Sequence, residues 1–281
     1  MKNIRFILAA ALLLSFALLF AEAWKFDSDI MVNLTQSQFS DNWAGSELSN
    51  ITWTASMNNT AQKQLAEWLK NKNTLKLAFG QTHLQKEDLL GETYWEKPQK
   101  STDQIAFESL MQFTLKTFVD PYLSLRADSQ FLDEAGTKTL VVNPILFTES
   151  AGIMKTIVDG EKTKLNARIG GAVRENWNRR VDGIPVDGGI EGIVEFKQIF
   201  GLLNASYNSR LSAYKALFKS DAVAGVDNWK APDLKWENLL SLNLWKMLSL
   251  NLNLDFIYEK EQSPDIQWKE ILGLGFSYSL F

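Results

Sequence analysis

From Leu248 the chain alternates strictly. Leu248, Leu250, Leu252, Leu254, Phe256 and Tyr258 share one side, Ser249, Asn251, Asn253, Asp255 and Glu259 the other, and Ile257 is the exception. A helix would scatter these leucines around its circumference, whereas a strand lines them up on one face. The same period of two runs through Leu203, Ala205, Tyr207, Ser209, Leu211 and Ala213, and again through Leu165, Ala167, Ile169 and Val173. Residues 51–58, 105–116 and 123–128 repeat it.

Applied along the whole chain, this pattern predicts strands near 28–36, 48–58, 71–84, 103–117, 121–131, 138–150, 163–176, 185–198, 202–217, 233–245, 247–260 and 266–280. Most are about ten residues or longer, the length of a strand that crosses a bilayer and about twice that of a typical soluble strand. Their polar faces are too polar for a packed interior, so the apolar faces are expected to meet lipid. A bilayer supplies no water to an open sheet edge, so such a chain enters it as a closed cylinder. The expected fold is all-β: a single closed antiparallel up-and-down transmembrane β-barrel of about 12 strands. The long gaps 37–47, 85–102 and 218–232 fall at one end and the tight joins near 118–120, 199–201 and 246 at the other, the asymmetry such barrels show. Connectors 59–70 and 151–162 are longer than that rule wants, and Pro144 predicts a bulged or broken strand over 138–150.

Aromatic residues near predicted strand ends, Trp68, Tyr122, Trp177, Trp236, Trp245 and Trp268, suit the lipid–water boundary. The start of the chain sets a compartment. Lys2 and Arg5 precede an apolar run from Phe6 to Phe20, broken only by Ser15, and Ala21-Glu22-Ala23 has the small-x-small form of a cleavage site. Residues 1–23 therefore read as a signal peptide, and 24–281 as the mature barrel, exported to the cell outer membrane. The 281 residues contain no cysteine, which excludes a disulfide scaffold, a thiolate metal cluster and a cysteine nucleophile. A formal net charge of −4 is too mild to suggest a nucleic-acid partner.

The last segment, Leu272-Gly-Leu-Gly-Phe-Ser-Tyr-Ser-Leu-Phe281, is apolar at every second position and ends in an aromatic. It resembles the terminal strand by which barrel-assembly machinery recognises outer-membrane barrels. Tyr278, Leu280 and Phe281 are its assembly-signal candidates, with Phe281 out of phase. At the front, Asn33-Leu-Thr-Gln-Ser-Gln-Phe-Ser-Asp-Asn-Trp-Ala-Gly45 resembles the opening motif of an uncharacterised family of Gram-negative outer-membrane proteins, a domain of unknown function. That motif runs from an Asn-x-x-Gln element into Phe-Ser-x-x-Trp and a Gly-Gly, where Ser46 here replaces the second glycine. Lys100-Ser-Thr-Asp103 and Asp120-Pro121-Tyr122 extend the likeness. It implies an outer-membrane barrel and carries over no catalytic residue.

Candidate chemistry is sparse. The only histidine, His83, falls in phase with Leu75, Leu77 and Phe79 and hence faces outward. Outer-membrane phospholipases of similar size place Ser two residues from His on one strand, whereas Gln85 stands there in this chain. No metal site, cofactor or nucleotide motif is expected. The inward phase instead collects Lys76, Lys116, Arg126, Lys164, Arg168, Arg174, Lys197 and Arg210 against Glu108, Asp128, Glu191, Glu195, Glu237, Asp255 and Glu259. So balanced a set favours either a cross-lumen ion-pair network or a narrow conducting path. The expected function is non-enzymatic: a narrow channel, or a structural or binding component of the outer membrane, with membrane lipid, the assembly machinery and a small solute as its partner classes. The rivals are a membrane lipid hydrolase using His83 and a soluble periplasmic β-sandwich.

Overall fold

The structure, a computed structural model, describes residues 24–38, 48–89, 92–201, 205–223, 225–245 and 248–279. Twelve long strands carry the fold: β1 (Lys25–Ser37), β2 (Asn50–Ala66), β3 (Leu69–Glu87), β4 (Gln99–Phe113), β5 (Asp120–Ser129) and β6 (Ile145–Asp159) in the first half. The second half adds β7 (Thr163–Trp177), β8 (Val186–Ile199), β9 (Ser206–Lys219), β10 (Asp233–Trp245), β11 (Leu248–Tyr258) and β12 (Gln267–Ser279). Each pairs antiparallel with its sequence neighbours, and β1 closes onto β12 with Ile30 opposite Tyr278 and Leu34 opposite Leu274. The result is a closed antiparallel barrel. Its short connections, such as 67–68 and 160–162, lie at one rim, here the turn rim, and longer ones such as 130–144 and 220–232 lie at the loop rim. Minor elements belong to the loop rim: Thr93–Trp95 on the end of β3, a ribbon of Leu132–Asp133 with Leu140–Val141, and one 3-10 turn at Asn228–Lys230.

Alternation sorts the side chains as a barrel requires. Leu34, Ile153, Ile169, Leu211, Trp236, Leu274 and Phe276 stand on the outside, 42–66% exposed. Trp236 stacks on Phe256 with ring centroids 5.5 Å apart, and Trp68 stacks on Phe113 at 6.0 Å. A continuous apolar outer surface of this kind is foreign to soluble monomers and suits hydrocarbon. No helix among the described residues is long and apolar enough to cross a membrane. Inside, Leu110, Tyr122 and Met154 form one small apolar cluster and Ala172, Tyr214 and Ala216 another.

Several sequence expectations are corrected. The hairpin β2–β3 runs on to Ala66 and Leu69, so the connector foreseen over 59–70 is mostly strand. The foreseen strand over 138–150 instead begins at Ile145, after a cis Asn143–Pro144 bond, and continues to Asp159, which absorbs the connector 151–162. Pro144 precedes the strand and breaks nothing. Tyr122 is not an interfacial aromatic: it points inward, 2% exposed, beneath the Arg168 guanidinium. Gly170 makes room for it, because a Cβ there would sit 2.7 Å from the Tyr122 hydroxyl. Residues 1–23, read from the sequence as a signal peptide, together with Leu203, Leu280, Phe281 and the front motif beyond Gln38, lie outside the described residues. Tyr278 lies in β12.

Candidate functional site

The lumen carries most of the titratable side chains that the strands turn inward, and they meet across it. At its centre Glu108 on β4 accepts hydrogen bonds from Arg168 on β7, from Arg210 on β9 at 3.4 Å and from the Ser124 hydroxyl at 3.1 Å. Arg126 on β5 reaches both oxygens of Glu191 on β8, at 3.3 and 3.4 Å, and donates to Asp128 at 3.0 Å. Arg168 lies 4.0 Å from the same Glu191. Glu195 on β8 takes Arg210 on one side and Lys72 of β3, at 3.6 Å, on the other. Glu237 on β10 stands 3.9 Å from Lys76 on β3 and 3.2 Å from Lys235. Four strands therefore lie between the partners of Lys72–Glu195, Lys76–Glu237 and Glu108–Arg210, nearly half the circumference, so each pair ties opposite walls. Arg168 and Glu191 are almost fully shielded, with side chains 6% and 3% exposed. Burial at that level demands that each charge be partnered, and the network provides the partners.

A second tier lies nearer the loop rim. Arg174 bridges Asp187 and Asp233, both at 2.8 Å, and its guanidinium lies 3.7 Å from the Tyr214 ring centroid, while the Tyr214 hydroxyl donates to Asp187. Beyond it the loops are pinned to each other. Asn143 donates to Asp133 at 2.6 Å and to Asn178 at 3.1 Å, and accepts from the Arg179 amide at 2.8 Å. Arg180 donates to the Asp133 carboxylate and to the Asp133 and Lys138 carbonyls. The Arg180 hydrogen bond, with that of the Ala135 amide, holds the Asp133 carboxyl well below the usual carboxylate range.

Beside this network runs a cavity of about 750 Å³, lined by Lys25, Lys70, Lys164 and Lys197 at its turn-rim end and reaching Thr102 and Lys269 towards the loop rim. Lys164 lies 4.0 Å from Asp159, and Asp255 pairs with Lys269 at 3.4 Å. Glu259, just past β11 at the loop rim, accepts from Gln262 at 2.6 Å, and burial raises its pKa.

Fourteen of the fifteen expected lumen residues thus lie on or next to the inner wall. Lys116 does not: β4 ends at Phe113, and Lys116 occupies the turn 114–119 with φ 59°, exposed. Lys72, Asp187, Asp233, Lys235 and Lys269 were missed, although each lies in phase with an inward residue on its own strand or opposite one in register, as Asp187 does to Arg174. His83 sits outward opposite Ile51. No group of three or more His, Cys, Asp or Glu side chains suited to a metal ion occurs among the described residues.

Comparison with known proteins agrees with the resemblance read from the front of the chain. Residues 34–134 match the family model described as "Protein of unknown function (DUF3078)". No curated protein sequence matches. Among solved structures, the chain is similar to the translocator domain of the autotransporter NalP from Neisseria meningitidis, with 8% identity and TM-score 0.36, covering 98% of this chain and 95% of that one. It is also similar to an outer membrane channel from Pseudomonas putida F1, with 13% identity and TM-score 0.40, covering 93% and 96%. A third is OprB from Pseudomonas putida, with 8% identity and TM-score 0.31, covering 92% of each chain. The twelve-stranded closed barrel itself rests on the hydrogen-bonded register, which runs unbroken from β1 round to β12.

Proposed function

We propose that this protein is a non-enzymatic outer-membrane barrel whose lumen is held shut by side chains, a structural or binding component of the membrane rather than an open pore. One observation carries the reading. Glu108, Arg168, Arg210, Arg126, Glu191, Glu195 and Lys72 join β3, β4, β5, β7, β8 and β9 through the middle of the barrel. A conducting path needs charges that an ion can visit and leave, whereas these are already spent on one another. The apolar outer belt supports the membrane location, and with it the long-loop rim outside the cell and the turn rim in the periplasm. Residues 1–23 are read as the export signal and the C-terminal segment as the assembly signal. His83, on which the hydrolase reading rests, sits on the outer face opposite Ile51.

Planar-bilayer recording of the refolded full chain tests the proposal. Persistent absence of discrete current steps is the expected result, and regular ion-conducting steps from the wild-type protein would reject it.

A further inference from the structure

The cavity that opens at the turn rim runs past the Glu108 network along β1–β4, β11 and β12 as far as Thr102 and Lys269, and is lined by nine basic and six acidic side chains. Four of the six acids face basic partners, and the other two, Asp27 and Asp29, lie on β1 beside Lys25. Glu195 is held by Arg210 and Lys72, Glu237 by Lys76 and Lys235, and Asp255 by Lys269, while Asp159 faces Lys164. Both lining arginines, Arg168 and Arg210, are bound to carboxylates.

The lysines nearest the rim are in a different position. Among the described residues, Lys25, Lys70 and Lys197 have no carboxylate oxygen within 4.0 Å. Lys70 lies within electrostatic reach of Lys25, Lys72 and Lys164 as well as of Asp159. Lys164 and Lys197 are direct register partners on β7 and β8, an arrangement of like charges that costs stability in an empty sheet. Lys25, Lys70, Lys164 and Lys197 line the turn-rim end of a cavity of about 750 Å³, which has room for a small molecule. Ammonium groups act as compact point charges with three rotatable donors, which suits the tetrahedral oxygens of phosphate. Planar carboxylates are matched better by the arginine fork, and both forks here are occupied.

We propose that the turn-rim vestibule formed by Lys25, Lys70, Lys164 and Lys197 is a binding site for a multivalent phosphate-bearing anion, of a size up to that of a sugar phosphate. The proposal rests on the closed-lumen reading for the roof of the vestibule, because an open lumen would let the anion pass. The two fail separately: conductance reports on the network and calorimetry on the lysines.

Titration calorimetry of the full chain, refolded in zwitterionic detergent, uses inorganic pyrophosphate as the probe. Saturable binding is expected, weakening at least tenfold in K70Q/K197Q and unchanged in K63Q, whose lysine lies near the same rim but on the outer face. Removing like charges leaves the barrel folded, as an unshifted unboiled gel band would show, and the single variant K197Q gives a smaller loss if the double variant does not refold. Dihexanoyl phosphatidic acid separates a lipid headgroup from a free anion, and it should bind no tighter than pyrophosphate. The proposal is overturned by absent saturation with folded protein, by equal affinity in K70Q/K197Q, by an equal loss in K63Q, or by tighter binding of the lipid.

Discussion

Arg210 on β9 stands 3.4 Å from Glu108 on β4, although the two are 102 positions apart in the chain and four strands lie between them. The two are not neighbours along the sheet, so their contact forms only once the cylinder is nearly closed. Because Glu108 also receives Arg168 and the Ser124 hydroxyl, it is the hub on which the middle of the lumen depends.

Replacing that hub should be costly. Glu108→Gln leaves two arginines shielded beside a neutral amide, and loss of one partner of a buried ion pair destabilises by about 3 kcal/mol or more. The urea midpoint of the folded gel band should fall accordingly. The double variant E108Q/R168Q should lose less than the sum of the single losses, the signature of direct coupling. Additive losses would remove the pair from the account.

The closing seam makes a steric prediction. A Cβ on Gly275 would lie 2.3 Å from the Val32 carbonyl oxygen and 2.4 Å from Asn33 Oδ1, on the one strand pair that joins the two ends of the chain. Asn33 is tied there to the fully buried Asn251 at 3.3 Å. Gly275→Ala should therefore reduce the yield of folded barrel on refolding, as measured by the fraction of heat-modifiable protein, whereas Gly201→Ala, with nothing within 4 Å, should leave it unchanged.

Asp133 gives a pH dependence with a definite sign. Its carboxyl is held below the ordinary value of about 3.9, so the folded state favours the charged form. The stabilisation is complete above that ordinary value and is lost as the pH falls below it, toward the folded-state value. Hydrogen exchange at the Ala135 amide, which donates to Asp133 at 3.0 Å, should stay slow from pH 7 to about 5 and lose protection in stronger acid. Asp133→Asn should lower the protection already at neutral pH and flatten the acid response.

The outer surface offers a test of its solvent. Ile169 is 54% exposed in the middle of β7, beside Ile153. On a soluble protein Ile169→Arg would be nearly neutral, whereas at the middle of a bilayer it should cost about 2–4 kcal/mol. Unfolding from lipid vesicles measures the difference.

Much of this architecture was legible in the residues themselves, because a half-buried strand writes its two solvents in alternation. Leu248–Tyr258 is the plainest case, with leucines outward and Ser249 and Asn251 buried inside. Legibility failed where the outer face is polar. Asn59, Lys63, Asn71 and Asn73 interrupt the apolar phase of β2 and β3, and Asn71 and Asn73 are satisfied there by bonds to Ser109, the Leu110 carbonyl and each other. Glu149 and Lys155 did the same on β6, where Glu149 lies opposite Leu125 and Val173. Facing was readable from phase, but partnership was not. Glu108 could be set inside the barrel, yet its bond to Arg210 depends on the curvature that brings β4 and β9 face to face, and no local spacing encodes it.

Whether lipid is what the apolar faces touch can be measured on one gel. Protein extracted from membranes and run in dodecyl sulfate should migrate at different positions before and after boiling, because a closed membrane barrel keeps its register in detergent until heated. Identical migration of the two samples, with the unboiled protein already unfolded, would contradict the account.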